Sequence, residues 1–358
     1  MRSESLEFLR QIVDTPSPSG YEERAAEVFR QYTKDFADDI HTDFHGNVWA
    51  CLNPKAEMKV MLAGHIDEIG FIVHYINEEG FLFFRGVGGH DSIIPVGQRV
   101  WVHGKERVPG IIGRKPIHLL DPSEREKRPQ LHDLWIDIGA SSKEEAEELI
   151  ELGDCVTFQS EFQSLLGDRA TARGFDNKVG AFAVAEALRL LKKSKGLSKD
   201  VGVYAVGTVQ EEVGLRGART AAYAINPQSG LAIDVEFAID HPGLSKTRYG
   251  DAALGKGPTV TRGPNVNPVV YRMIKEAAQK EKVSLQVVPE PGPTGTDGAA
   301  MQISRRGMAT GVVGVPLRYM HTPCELISLT DAEDAAKLMA GYCRLVKPDS
   351  DFTPRIER

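Results

Sequence analysis

His65 and Asp67 form an H-x-D pair directly after the apolar run KVMLAG. Glu211 and Glu212 stand side by side after YAVGTVQ, Asp234 closes LAID, and His321 follows GVVGVPLRYM. Asp176 lies in RGFDNKVG, where a long stretch of helical periodicity begins. Imidazole and carboxylate are the ligand types that Zn²⁺-class ions favour. Two such ions, roughly 3.5–4 Å apart, can share a bridging carboxylate and a water whose pKa falls toward neutrality. A carboxylate that is not a ligand must then take the water's proton and pass it to the leaving amine. Of two adjacent glutamates, one can bind metal while the other faces the water, and the Asp of H-x-D can orient its imidazole. Taken singly, each residue has a plainer reading. Asp234 can be a turn former, Asp176 a helix cap, His321 a surface histidine and Glu211–Glu212 a solvated pair. Taken jointly, they point to one metal-dependent hydrolytic site.

In open α/β sheets, ligands bind beyond the carboxyl ends of the strands, so the elements before these residues decide whether they can meet. Apolar runs predict strands at 45–52, 59–65, 201–209, 231–234 and 309–315. Helices are predicted over 3–13, 21–33, 177–193, 268–282 and 331–345. The third is amphipathic, with Val179, Phe182, Ala183, Ala187, Leu190 and Leu191 at helical spacing. Strands alternating with helices imply a mostly parallel or mixed sheet covered on both faces, a three-layer α/β/α domain. Between about 71 and 158 the texture changes. FIVHYI, RVWVHG, PGIIG and LWIDIG alternate there with Gly, Pro and charged turns, together with one helix, SSKEEAEELIEL, capped by Ser141 or Ser142. Since α/β texture stands on both sides, residues 71–164 are expected to be a small β-rich insertion in a catalytic domain of 1–70 and 165–358.

The 358 residues suffice for two domains and a large core. A net charge of −7 without a basic block argues against nucleic acid as a partner. The N-terminal MRSESLEFLRQIVD reads as an amphipathic helix rather than a signal peptide, and no apolar run is long enough to span a membrane, so a cytoplasmic protein is expected. Cys51, Cys155, Cys324 and Cys343 form no C-x-x-C pair and read as thiols in a reducing compartment, with a minor metal role open for Cys324 beside His321. His90 and His132, in the insertion, read as structural, and RGVGG lacks the lysine of a phosphate loop.

The motifs AGHIDEIGF, ARGFDNKVGAF, TVQEEVGLRGA, AIDVEFAIDHPG, PTGTDGAA and YMHTPCELI, in this order and spacing, make the chain resemble the TET-type metallo-aminopeptidases. That family includes glutamyl and leucyl aminopeptidases, and some members carry an endoglucanase label. The resemblance spans nearly the whole chain. It implies two divalent ions per subunit, zinc or cobalt, with Asp176 bridging both. His65 and Asp234 would complete one site, Glu212 and His321 the other. Glu211 would be general base and then general acid, and Asp67 the partner of His65. Thr296 and Asp297 would line the substrate pocket, against the plainer reading of a turn before a helix. The insertion would be PDZ-like or barrel-like and dimerising, with six dimers forming a hollow tetrahedral dodecamer that admits short peptides. The ligand set alone leaves open a related carboxypeptidase or amide deacylase. A non-catalytic scaffold would have lost a ligand or Glu211, and neither is lost.

Overall fold

The computed structural model describes residues 1–356. A mixed sheet runs in the order Asp39–Thr42, Val48–Leu52, Val201–Thr208, Met58–His65, Ser229–Phe237, Ala309–Arg318, Glu325–Ser328, Arg169–Ala172 and Gln163–Ser164. The four strands from Val201–Thr208 to Ala309–Arg318 are parallel neighbours. Their carboxyl ends therefore share one edge. Two strands absent from the sequence reading, Thr259–Arg262 and Gln286–Pro289, branch from Ala309–Arg318.

Alternate side chains of the central strands enter two different cores, as a period of two requires. Val60, Leu62, Val203, Ala205, Leu231 and Ile233 pack under Phe8, Phe29, Phe182, Ile274 and Leu338. Those five side chains come from the helices Ser3–Asp14, Glu23–Thr33, Phe175–Lys193, Pro268–Glu281 and Leu329–Leu345. Met61, Ala63, Tyr204, Val206 and Ala232 face the other way, under Ala218, Ala222 and Met301 of the helices Arg216–Ile225 and Asp297–Gln302. Burial on both faces is why these strands read as unbroken apolar runs, and it produces the three layers that the alternation predicts.

One helix departs from its sequence reading. Phe175–Lys193 is not amphipathic in context: Lys178, Glu186 and Arg189 are buried along with its apolar face. It lies between the sheet and the helices Ser3–Asp14 and Leu329–Leu345, so its polar side chains must pair internally. Glu186 accepts from Arg189, Ser5 and Tyr32.

The strands Gly70–Ile76, Leu82–Val87, Trp135–Asp137, Arg107–Gly113, Arg99–His103 and Cys155–Phe158 close into a separate barrel. Its core holds Phe71, Phe84, Val100, Ile136 and Val156, so the insertion forms a closed, barrel-like β unit. Ser142, not Ser141, caps the helix Lys143–Leu149, its hydroxyl accepting from the Glu145 amide at 3.3 Å. Among the described residues, no helix is long and apolar enough to cross a membrane. The four cysteines are unpaired, and only Cys324 is exposed.

Candidate metal centre

Strand register brings the site together. Thr208 pairs with His65, so the chain leaves the ends of two adjacent strands at one level, and Glu211 and Glu212 follow three and four residues on. Asp234 stands beside Gly314 in the next parallel pair. Asp176 reaches the same place because a helix descends closely onto a strand. A Cβ on Gly64 would lie 2.5 Å from the Gly180 backbone, so only glycine permits this approach.

Asp176 does not cap its helix. Asn177 does: its Oδ1 accepts from the Gly180 amide at 3.0 Å, and its Nδ2 donates to the Ile233 carbonyl at 2.7 Å. The second bond pins the helix start to the strand carrying Asp234. It also frees the Asp176 carboxylate, whose two oxygens point to different histidines. Oδ1 is 3.4 Å from His65 Nε2, and Oδ2 is 3.2 Å from His321 Nε2. His65 Nε2 also lies 3.8 Å from Asp234 Oδ1 and 3.8 Å from Glu211 Oε2. His321 Nε2 lies 3.5 Å from Glu212 Oε2.

Asp67 stands behind this group. Its Oδ1 is 3.4 Å from His65 Nδ1. Its carboxylate accepts from the amides of Glu211 and Glu212 at 3.1 and 3.2 Å, and from the Ser19 hydroxyl at 2.7 Å. Although burial opposes it, these bonds and the His65 ring hold Asp67 below the usual carboxylate range.

All seven residues singled out for the site therefore meet. Other candidates fall outside the ligand groups. Asp297 is buried behind Thr208, whose hydroxyl donates to its Oδ2 at 2.5 Å, and burial pushes its carboxyl up to about 6. Thr296 precedes the helix Asp297–Gln302 and contacts the Thr294 hydroxyl at 2.9 Å. His90 stacks on Phe71 and donates from Nε2 to the Gly70 carbonyl at 2.7 Å, a packing role. His132 is exposed beside Asp133. Cys324 belongs to neither ligand group. The RGVGG turn lies over the site: Cβ atoms on Gly88 and Gly89 would come 3.4 Å from Glu212 and 3.6 Å from His321.

Two features escaped the sequence reading. Glu325, 2% exposed, accepts from the Asp176 amide and from the His321 amide, both at 2.9 Å. Its signal was an acid opening an apolar strand four residues after the histidine. Glu68, next to Asp67, receives Arg173, Lys178 at 2.8 Å and the Ser17 amide at 2.9 Å. Burial opposes ionisation there, yet the two cations pull its carboxyl down to about 2.

A model of the M42 glutamyl aminopeptidase family matches residues 46–338. The chain belongs to that family. A lysyl aminopeptidase of Pyrococcus furiosus is 37% identical over 353 residues, covering 97% of this chain and 99% of that one. A TET aminopeptidase from the marine sediment archaeon Thaumarchaeota archaeon SCGC AB-539-E09 has the same fold, with a TM-score of 0.91, 35% identity and 96% of each chain covered. A Pyrococcus horikoshii TET1 peptidase that can assemble into a tetrahedron or a large octahedral shell matches with a TM-score of 0.83 and 34% identity, over 95% of this chain and 99% of that one. The chain is thus a metal-dependent aminopeptidase.

The residues of this M42 peptidase fit a metal. His65 Nε2 and Glu212 Oε1 are buried without a hydrogen-bond partner, although both belong to the cluster. Five carboxylates, those of Asp67, Asp176, Glu211, Glu212 and Asp234, crowd two imidazoles, and Glu325 takes the backbone amide of His321. Burial, followed by the charges of Asp234, Asp297 and Glu212, pushes Glu211 up to about 10 against the pull of His65. Burial and the charge of Asp176 likewise raise Asp234. Contacts with Asp176 and Glu212 raise His321 to about 11. Such a cluster takes up either protons or cations, because clustered buried carboxylates cannot all stay charged and uncompensated.

Proposed function

We propose that this aminopeptidase trims N-terminal residues from short peptides, using two divalent ions, zinc or cobalt, shared through Asp176. The division of the Asp176 oxygens between His65 and His321 carries this reading. Around it, His65 and Asp234 supply an inner set, and His321 and Glu212 an outer set. Each set then has three protein ligands, and catalytic zinc sites keep a further position for water or substrate. Glu211 lies as close to His65 as Asp234 does, at 3.8 Å, and the resemblance to the family leaves it outside both sets. That supports Glu211, rather than Glu212, as the proton carrier.

When bound, the ions would supply Lewis acidity to the scissile carbonyl and to the attacking water. Glu211 takes the proton from that water and delivers it to the departing amine, first as base and then as acid. Asp67 holds the His65 ring through Nδ1 and fixes the backbone of Glu211 and Glu212 through their amides. The substrate's free amine belongs near one ion, which makes the N-terminal residue the one released.

Residues 71–164 are read as a dimerising insertion within a catalytic domain of 1–70 and 165–358. Exposed Ile93, Ile111, Ile117 and Leu119, all in the insertion, support a covered face there. The shell-forming Pyrococcus horikoshii relative supports dimers gathered into a tetrahedral dodecamer. Unpaired thiols accord with a cytoplasmic setting.

The test is a panel of aminoacyl anilides beside N-blocked peptides, before and after chelation. Cleavage of the free-amine substrates only, lost with chelator and restored by Zn²⁺ or Co²⁺, is the expected result. Equal cleavage of blocked peptides, or full activity without metal, would overturn the reading.

A further inference from the structure

Glu325 joins the two segments that carry the outer ligands. It opens the strand Glu325–Ser328, paired with Ala172 on one side. Its Oε2 takes the amide of Asp176 and its Oε1 the amide of His321, each at 2.9 Å. The side chains of those same two residues meet at 3.2 Å between Asp176 Oδ2 and His321 Nε2. The contacts close a ring: carboxylate, two backbones and two facing side chains. Neither backbone has a regular partner ladder here. Asp176 has non-helical dihedrals in the first turn of its helix, and His321 has a φ of +58° in a loop. Both Glu325 oxygens are taken by amides, and Glu325 belongs to neither group of facing ligand atoms.

We infer that Glu325 is the positioning residue of the outer ion: its carboxylate sets the separation of Asp176 and His321 without ligating. The inference rests on the two-ion reading above. Its chemistry is that of a rigid two-acceptor bridge. An orphaned buried amide is unfavourable, so each N–H is drawn to its own oxygen, and the distance between the oxygens fixes the distance between the segments. Asp67 does the same for the Glu211 and Glu212 amides, so the outer ligands depend on two such bridges.

The experiment is a chelator titration that reads metal per subunit, on wild type, Glu325→Gln and Glu325→Asp, with melting of the metal-free proteins alongside. Glu325→Gln keeps the shape but turns one acceptor into a donor facing an N–H. Glu325→Asp keeps the charge but is one methylene too short to reach both amides. Both variants are expected to lose the weaker-held ion at least roughly tenfold more readily, the scale for residues that support metal ligands. The tighter ion should leave at the wild-type chelator concentration. Wild-type retention of both ions in Glu325→Gln overturns the inference. So does a wild-type Glu325→Asp beside an impaired Glu325→Gln, since charge rather than reach would then be at work. Equal loss of both ions with a lowered metal-free melting temperature also overturns it, showing a general structural role. If wild type itself does not hold two ions, it is the two-ion reading that fails.

Discussion

The inner and outer halves of the cluster are built by different means. His65 and Asp234 stand on neighbouring parallel strands in the middle of the sheet, with Leu62 opposite Leu231 and Ala63 opposite Ala232. Their position is set by strand register, and the His65 side chain is 1% exposed. His321 lies in a loop beyond its strand, and its side chain is 33% exposed. It is held by one amide bond to Glu325 and covered by the Gly88–Gly89 turn of the barrel. A cooperative ladder keeps its geometry without a ligand, whereas a loop held by single bonds opens locally at lower free energy. The inner half should therefore be preorganised, and the outer half should take its final form with its ion.

Three measurements break or sharpen that contrast. The largest effect belongs to neither half. Glu211→Gln should lower kcat by roughly 100- to 10,000-fold, the scale of lost general acid–base catalysis, while metal analysis still finds both ions. Near-normal turnover would remove Glu211 from the proton path. A loss of metal would instead make it a ligand, a role its place beside His65 and Asp234 also permits.

Next come His65→Ala and His321→Ala, compared by metal content after gel filtration. His321→Ala should keep one ion per subunit, held by His65, Asp234 and Asp176. His65→Ala should keep less, because His65 Nε2 lies against both Asp176 and Asp234 and its loss loosens the shared carboxylate. Equal metal content in the two variants would mean that the halves are equivalent.

The inner half was also the more legible half in the sequence. An acid or histidine ending an unbroken apolar run is visible as such, and burial of both strand faces made the runs unbroken. The layers could be read for the same reason. The outer half depends on contacts between distant segments, and no periodicity reports these. Glu325 lies 149 residues from Asp176 in the chain, and only folding brings the two together. Lys178 and Arg173 find their partner Glu68 more than a hundred residues earlier, a pairing no local pattern reports. The residues alone also left the tasks of Glu211 and Glu212 interchangeable. Their separation comes from the resemblance to the TET-type family, and the Glu211→Gln measurement tests it.

The smallest effect, and the one most specific to a cluster that trades protons for ions, is the pH dependence of the metal-free protein. Glu211 is raised from 4.5 to about 10, chiefly by burial, and His321 from 6.5 to about 11, chiefly by Asp176. Each group binds its proton more tightly in the folded chain than in the unfolded one. The stabilisation is complete below the unfolded pKa and drains away as pH climbs toward the folded value. For Glu211 that window opens near 4.5 and for His321 near 6.5, so both act in the same direction across the neutral range. Asp176 and Asp67 are shifted downward and titrate below this window. Metal binding has the opposite sign, since ligands must lose protons to bind. Melting temperature in chelator should thus fall by several degrees between mildly acidic and mildly alkaline buffer, and the gap between zinc-loaded and metal-free protein should widen. His321→Ala should flatten the fall more above neutrality than below it. A metal-free melting temperature that rises with pH across this range would mean that the cluster does not hold protons where its ions belong.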